Sequence, residues 1–195
     1  MDRLFRDGII TTMKMNLWHD VSLGENAPKE INVIVEIPKG SKNKYEIDKE
    51  TGLIALDRAL HTAQDYPFDY GFVPQTLWED GDALDVMLLS TFPIDSGILV
   101  NVRPVAIMKM MDSGESDDKI IAVPVEDKRW ADIKDLKDLN KHSLKEFKLF
   151  WENGKKLKGD KPEEYPVEVL GFEGKDKALL AIKKSVELYK KKFGK

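Results

Sequence analysis

The order of the apolar segments is the feature that most constrains the fold of this chain. Its first two thirds hold short β-branched or apolar runs bounded by turn residues, a pattern typical of strands. The clearest run, Ile31–Pro38, places Ile31, Val33, Val35 and Ile37 on one face and ends at a proline. The other predicted strands are Lys44–Asp48, Leu53–Arg58, Leu84–Leu89, Ile98–Met111, Lys119–Val125 and Pro166–Phe172.

Two apolar stripes late in the chain predict helices. The first covers about Asn140–Glu152, and Trp151 lies on its apolar stripe, so we expect this ring to pack in the core. The second is predicted to begin near Asp176, a good N-cap residue, and to continue to Phe193. Many short strands followed by helices predict an α+β protein, mainly β, with a small barrel or strongly curled sheet.

Length, charge and cysteine content narrow the class of protein further. The 195 residues predict one compact domain over residues 15–195, with Met1–Lys14 as an N-terminal extension. The net charge of −4 argues against a protein whose main task is binding duplex nucleic acid. The absence of cysteine excludes disulfides, thiolate metal sites and a cysteine nucleophile. With no apolar run long enough for a membrane span and no secretory signal pattern, we expect a cytoplasmic protein without membrane association.

Two acidic clusters are the strongest candidates for chemistry. Glu79–Val86 carries Asp80, Asp82 and Asp85 around a glycine, and Asp112–Asp118 lies between two predicted strands. A single such cluster is commonly a solvated turn. If the two clusters converge, however, like charges about 4 Å apart repel by about 4 kcal/mol at an effective dielectric near 20, so cations are needed. Carboxylates without His or Cys suit Mg²⁺ or Mn²⁺, and the spacing does not match an EF-hand.

Cations and phenols are interleaved with these acids. Side chains that could bind an anionic substrate are Lys44, Arg58, Lys119, Lys155, Tyr66 and Tyr70. Each lysine alone is more often a surface residue, and each tyrosine could equally be a core ring. Metals on one side and cationic or hydroxyl donors on the other suit a phosphate ester or anhydride. The chain has no HExxH, G-x-S-x-G, Walker A or G-x-G-x-x-G motif.

From about Met15 onward the chain resembles the family I soluble inorganic pyrophosphatases. The most specific element is Asp80-Gly81-Asp82-Ala83-Leu84-Asp85-Val86, which is similar to the family's D-x-D-P-x-D-V/L signature. The other matching segments, in order, are Glu36-Ile37-Pro38, Lys44-Tyr45-Glu46-Ile47-Asp48, Leu56-Asp57-Arg58, Tyr66-Pro67-x-x-Tyr70-Gly71, Arg103-Pro104-Val105, Lys109-Met110-Met111-Asp112 and Asp117-Asp118-Lys119.

The resemblance implies a fold and an activity. The fold would be a five-stranded OB-like closed β-barrel flanked by two or three helices. The activity would be Mg²⁺-dependent hydrolysis of pyrophosphate to two phosphates, by a metal-bridged hydroxide that attacks in line. The family uses about three to four Mg²⁺ ions per site, with Mn²⁺ as an alternative. The short form resembles bacterial and archaeal homohexamers, so a hexamer is expected.

The resemblance also implies a role for each matching residue. Asp82 would be the general base and Glu36 a supporting acid. The metal ligands would be Asp80, Asp85, Asp112, Asp117 and Glu46. Lys44 and Tyr66 would bind the attacked phosphoryl group, Arg58 and Lys155 the leaving phosphate, and Tyr70 and Lys119 would line the site.

Three positions depart from the family pattern. Ala83 stands where the family usually has proline. Gly154 stands where a tyrosine usually precedes the late substrate lysine, so Lys155 carries that role with Lys156 as the alternative, and the glycine is expected to end or kink its helix. Met1–Lys14 precedes the usual start. The alternative functions are a non-catalytic OB-fold module, which would need a basic aromatic groove, and a pseudoenzyme that binds phosphate ligands.

Overall fold

The computed structural model describes residues 15–194, and these form nine strands and two α-helices. The strands are β1 Ile31–Ile37, β2 Asn43–Ile47, β3 Ile54–Ala59, β4 Asp69–Phe72, β5 Asp85–Leu88, β6 Leu99–Asp112, β7 Glu115–Ser116, β8 Lys119–Pro124 and β9 Val167–Gly174. The helices are α1 Lys141–Gly154 and α2 Lys175–Phe193, and short 3-10 turns cover Lys128–Trp130, Leu136–Asp138 and Pro162–Glu164. The predicted mainly-β class is confirmed.

Five strands pair in a ring. Their order is β1-β4-β5-β8-β6, and β1 also pairs with β6, so the ring has no free edge among these five. All neighbours in the ring are antiparallel except β5 and β8, which run parallel. β7 and β9 extend the sheet from β6, while β2 and β3 form a separate hairpin.

The two helices cover different parts of this ring. Phe147 and Phe150 of α1 are buried in an apolar cluster that includes Phe68. On α2, Ala178 and Ile182 pack into a second cluster with β1, β5, β6 and β8 residues. Each fully buried large apolar side chain contributes about 1.5–3 kcal/mol of transfer free energy, so both helices are attached mainly by their apolar faces.

The contact between β1 and β4 requires glycine at position 71. A Cβ built on Gly71 would lie 2.0 Å from the backbone oxygen of Ile34 and 2.9 Å from Cα of Val35. No side chain fits at such a distance, so any other residue would push the two strands apart. The two strands approach each other so closely because this position carries no side chain.

Most of the predicted elements are present. Each of the seven predicted strands overlaps an observed strand, and Gly52 has a positive φ of 73° in the turn between β2 and β3. The apolar stripe of α1 packs in the core as expected, and Gly154 is the last residue of that helix. The sequence does not predict β4 or β7. The residues of β4 belong to a Tyr/Pro-rich motif without a clear strand pattern, and β7 has only two residues.

The predicted N-cap of α2 is wrong. Gly174 is the N-cap, and Asp176 lies in the first turn of the helix. The chain passes directly from β9 into α2, which leaves no room for a separate capping segment. Instead, Asp135 accepts a hydrogen bond from the Lys175 N–H at 3.0 Å, so a carboxylate distant in sequence satisfies one free donor of the helix.

Two expectations concern the chain ends and the membrane. The proposed N-terminal extension, Met1–Lys14, lies outside the described residues. Within residues 15–194, neither helix combines the length and the apolar character that crossing a bilayer requires.

Candidate active site

A cleft of about 410 Å³ opens beside the ring, between the β2–β3 hairpin, the N-terminal ends of β5 and β8, and the C-terminal end of α1. Every site residue predicted from the sequence lines it. These residues are Glu36, Lys44, Glu46, Arg58, Tyr66, Tyr70, Asp80, Asp82, Asp85, Asp112, Asp117, Lys119 and Lys155. The two acidic clusters therefore converge on one cleft, which is the condition under which the charge argument calls for cations.

The first acidic loop is a tight turn that leads into β5. Trp78 N–H donates to the Asp82 carbonyl at 2.7 Å, and Gly81 adopts a positive φ of 89°. The Asp82 N–H donates to Oδ1 of Asp80 at 3.0 Å, which holds that carboxylate against the loop. Asp85 is the first residue of β5, so its backbone is fixed by the sheet.

The second acidic loop connects β6 with β8. The Asp117 N–H donates to the Met110 carbonyl at 2.9 Å. The neighbouring Asp118 is buried and accepts hydrogen bonds from Lys109 Nζ and the Met110 N–H. Hydrogen bonds from the backbone and from a side chain of this loop therefore both attach it to β6. Asp112 ends β6 and pairs with Lys155 at the end of α1.

The parallel register of β5 and β8 brings the two loops together. Asp85 stands opposite Lys119 in this register. Lys119 is only 2 % exposed and donates to both Asp85 and Asp117. The Tyr70 hydroxyl donates to Oδ2 of Asp85 at 2.5 Å, and Tyr70 and Trp151 both present a ring within 6 Å of the Lys119 ammonium. This lysine is therefore a fixed positive charge between the two acidic loops.

Burial and like charges raise the pKa values of several carboxyls. Desolvation is the main cause for each. It raises the pKa of Asp80 to about 6, with the Asp85 and Asp117 charges adding to the effect. It raises the pKa of Asp85 despite the opposing Lys119 charge. Glu36, buried beside the cleft with Oε1 accepting the Ile47 N–H at 2.7 Å, has a pKa of about 8 for the same reason, with Asp85 adding to it.

The tyrosine hydroxyls remain protonated. Burial raises the pKa of both Tyr66 and Tyr70 above the ordinary value, and the Asp85 charge acts in the same direction. Both side chains are therefore hydrogen-bond donors at neutral pH. Their rings belong to the apolar cluster under α1, so each is a core ring and a cleft residue at once.

Two cations of the β2–β3 hairpin, Lys44 and Arg58, also line the cleft. Lys44 donates to Glu46 at 2.6 Å and lies 3.2 Å from Asp57, and Arg58 also contacts Asp57. Burial lowers the pKa of Lys44, but its bonds to Glu46 and Asp57 outweigh burial and raise it. These donors are of the type that binds phosphate oxygens.

The acidic side chains fit hard divalent cations. Among residues 15–194, no three His, Asp or Glu side chains already stand in a metal-binding arrangement, because lysines lie between the carboxylates. The donor set consists of carboxylate oxygens, and no histidine lines the cleft in the described part of the chain. Burial, together with the neighbouring charges, raises the pKa of Asp80 and Asp85, so a nearby cation would favour their ionised forms. A donor set of oxygens alone favours Mg²⁺ or Mn²⁺ over softer metals.

Several cleft residues were not predicted. Lys49, which pairs with Asp82, lines the cleft, as do Lys158 and Trp151. Asp57 does not line the cleft itself but contacts both Lys44 and Arg58, which do. Asp57 lies inside a segment that already resembled the family. The others have no sequence signal of their own, because Lys-rich turns and helical tryptophans are common on surfaces and in cores. Lys155 rather than Lys156 lines the cleft.

Comparisons with known proteins point to one family. The family model described as inorganic pyrophosphatase matches residues 33–190. A protein of Haloferax volcanii named inorganic pyrophosphatase is 47 % identical over 92 % of this chain and 99 % of its own length. Soluble inorganic pyrophosphatase 1 of Arabidopsis thaliana is 45 % identical over 88 % of this chain and 79 % of its own length. The crystal structure of the Thermus thermophilus inorganic pyrophosphatase superposes with a TM-score of 0.86 at 40 % identity, over 90 % of this chain and 99 % of that one.

Proposed function

This chain belongs to the inorganic pyrophosphatase family, and from that premise we propose that it hydrolyses inorganic pyrophosphate to two phosphates with Mg²⁺ as cofactor. The observation that carries the proposal is that one cleft brings half-buried carboxylates of raised pKa together with lysines, an arginine and protonated tyrosines. Such a cleft suits a substrate that is a metal complex of an anion.

The acidic residues carry the cofactor in this proposal. Mg²⁺ ions would be held by Asp80, Asp85, Asp112 and Asp117, with Glu46 contributing to a further ion that enters with substrate. When bound, Mg²⁺ neutralises carboxylate and phosphate charge and makes water more acidic at neutral pH. About three to four ions per site remain the expectation from the resemblance, with Mn²⁺ as an alternative.

The remaining residues act on the proton and on the phosphates. Asp82 accepts the proton of the attacking water, and its side chain is 57 % exposed, so water can reach it. The water oxygen bonds to one phosphorus while the bridging P–O bond breaks, and the bridging oxygen leaves with the second phosphate. Lys44 and Tyr66 would bind the attacked phosphoryl group, and Arg58 and Lys155 would stabilise charge on the leaving phosphate.

The other polar residues support these groups. Glu36 would act as a supporting acid, since its raised pKa of about 8 keeps a proton available near neutral pH. Tyr70 and Lys119 would hold Asp85 in position, because both donate hydrogen bonds to that carboxylate. Their role is therefore to orient a ligand residue and to line the site.

We also propose the finer features that the resemblance implies. The ring of five strands would be a closed OB-like barrel, and residues 15–195 would act as one domain. The protein would work in the cytoplasm as a homohexamer. The pairing of β1 with β6 supports the closed barrel, and the share of the relatives' length that this chain covers supports the single domain.

The direct test is phosphate release from pyrophosphate, measured with Mg²⁺, without added metal and with EDTA. We expect release only with Mg²⁺, and loss of release in an Asp80→Asn variant. Asp95→Asn is the matched control, because Asp95 is exposed and lies outside the cleft. A protein that binds pyrophosphate but releases no phosphate under any metal condition would overturn the proposal and indicate a non-catalytic phosphate-binding module or a pseudoenzyme.

A further inference from the structure

The β2–β3 hairpin is separate from the ring of strands. Its two strands pair with each other and form a two-stranded sheet of their own. Lys44 and Arg58 of this hairpin line the cleft. Asp82, the proposed base, also lines the cleft but lies in the acidic loop that leads into β5. The base and the cations proposed to bind phosphate therefore belong to different parts of the fold, and their relative position depends on contacts between these parts.

The carboxylate of Asp82 is held differently from those of its neighbours. Asp80 accepts a hydrogen bond from the Asp82 N–H, and Asp85 accepts one from buried Lys119. In the described part of the chain, the Asp82 carboxylate instead accepts its hydrogen bond from Lys49 Nζ, which belongs to the turn between β2 and β3. The orientation of the proposed base therefore depends on a residue of the hairpin.

Lys49 extends from a turn that has its own hydrogen bonds. The Gly52 N–H donates to the Asp48 carbonyl at 2.7 Å. The N–H and the hydroxyl of Thr51 both donate to Oδ1 of Asp48. These bonds constrain the backbone on both sides of Lys49, so its side chain extends from a defined point.

Trp18 contacts the other end of the Lys49 side chain. The Lys49 ammonium lies 5.7 Å from the centroid of the Trp18 ring, which is buried. Trp18 Nε1 donates to the Thr76 carbonyl at 2.7 Å, and the Thr76 hydroxyl accepts the Leu84 N–H at 2.9 Å. Because Leu84 follows the acidic loop directly, these bonds attach the Trp18 ring to the segment that carries Asp82. Lys49 therefore contacts this segment through a carboxylate and is held by an aromatic face attached to it.

We propose that Lys49 is a positioning residue for Asp82. It holds the acidic loop and the hairpin at a fixed separation, so that a water molecule activated by Asp82 faces a phosphoryl group bound by Lys44. The proposal rests on the proposed pyrophosphate hydrolysis, and it assigns Lys49 no contact with the substrate. Lys49 acts through the orientation of Asp82, and a small displacement of a catalytic group is enough to lower a rate strongly.

Lys49→Met tests this role, because methionine has a side chain of similar length without the charge. We expect kcat for pyrophosphate to fall about tenfold and KM to stay close to the wild-type value. The melting temperature should change little, since an ion pair between side chains that are 59 % and 57 % exposed adds little to stability. Lys49→Arg should restore most of the activity, because a guanidinium can pair with the carboxylate and stack on the ring. Lys29→Met is the matched control, since Lys29 is exposed and lies outside the cleft.

A double-mutant comparison separates positioning from substrate binding. In an Asp82→Asn background, Lys49→Met should lower the residual kcat no further, because the carboxylate through which Lys49 acts is already gone. Methylene diphosphonate, which cannot be hydrolysed, should bind to wild type and Lys49→Met with equal affinity in calorimetry. The proposal is wrong if Lys49→Met leaves kcat of the otherwise wild-type protein unchanged, lowers kcat equally in both backgrounds, or weakens diphosphonate binding.

Amide hydrogen exchange tests the contact without any turnover. In the metal-free protein, Lys49→Met should speed exchange in both segments that the ion pair joins, residues 48–53 and 79–84, whereas Lys49→Arg should not. If exchange in residues 79–84 is unchanged in Lys49→Met, Lys49 does not hold the acidic loop and the proposal is wrong. If both segments respond as expected but the wild type releases no phosphate from pyrophosphate, the positioning contact stands and the proposed hydrolysis fails.

Discussion

Asp82 is more exposed than the acids that surround it. Its side chain is 57 % exposed, whereas those of Asp85 and Asp117 are 22 % and 15 % exposed. Asp82 also pairs with an exposed lysine, Lys49, rather than with buried Lys119. Its position therefore suits proton exchange with water, while the buried acids are better placed to hold cations.

Asp82→Asn should separate these roles. We expect kcat for pyrophosphate to fall by about two to four orders of magnitude, the usual contribution of a general base. The melting temperature and Mg²⁺ affinity should remain close to those of the wild type, because an amide preserves the shape of the loop. Calorimetric Mg²⁺ titration provides the control, and near wild-type turnover in this variant would disprove the assignment of Asp82 as base.

Glu36 makes the stability of the metal-free protein depend on pH. Its folded pKa is about 8 against an ordinary value of 4.5, so between these values the folded protein holds a proton that the unfolded chain has released. The free energy of unfolding should therefore fall as pH rises through this range, by up to about 1.4 kcal/mol per pH unit. The contribution of Glu36 to the free energy of unfolding is fully present below its pKa of 4.5 in the unfolded chain. That contribution is lost as the pH rises through about 8, its pKa in the folded protein.

Glu36→Gln should flatten that dependence, because the amide does not titrate and its oxygen can still accept the Ile47 N–H. The measurement is urea unfolding of the metal-free wild type and variant across this pH range. An unchanged slope in the variant would show that other groups cause the pH dependence.

At the level of elements, the contact between β1 and β4 depends on a residue without a side chain. Gly71→Ala should destabilise the protein by about 3 kcal/mol or more, since a methyl group 2.0 Å from the Ile34 oxygen cannot be accommodated without moving a strand. Gly154→Ala is the matched control. A Cβ at that helical position meets open space, and we expect a small gain of about 0.5–1 kcal/mol. Equal effects of the two substitutions in chemical denaturation would contradict this account.

The sequence predicts elements best where one local pattern determines them. β1 and α1 have periodic apolar residues, and both were located within a few positions. β4 was missed because Asp69 and Tyr70 read as turn and ligand residues, and its four residues become a strand only by pairing with β1 and β5. The sequence misplaces the N-cap of α2 because the N-cap is Gly174, and the carboxylate that accepts from the first turn, Asp135, is distant in the chain.

At the scale of the whole molecule, the sequence predicts which residues line the site better than it predicts which of these residues contact each other. All thirteen predicted residues line one cleft. They could be predicted because the motifs that contain them specify both the residue types and their order along the chain. The sequence did not predict which cation would pair with which acid. Pairs such as Lys119 with Asp85, or Lys155 with Asp112, depend on strand register and on where α1 ends.

Mg²⁺ should stabilise the whole fold, because the ligands proposed for it come from separate strands and loops that are together only in the folded chain. A ligand at about a hundred times its Kd adds about 2.7 kcal/mol to the free energy of unfolding, so the melting temperature should rise with Mg²⁺ concentration. Asp80→Asn should reduce this rise, and Asp95→Asn should not. An equal rise with NaCl at matched ionic strength would show screening rather than specific binding.

The ring of strands has a consequence for the protein while it is being synthesised. Asp80, Asp82 and Asp85 leave the ribosome with β5, well before Lys119 on β8 and Lys155 at the end of α1. Until β8 is made, Asp85 lacks Lys119, its partner in the folded chain, whereas Lys49, the partner of Asp82, is already present. In the same way, β1 waits for β6 to close the ring. A ribosome that stalls after β5 and before β8 therefore holds a chain that contains the complete signature motif but still lacks Lys119 and Lys155.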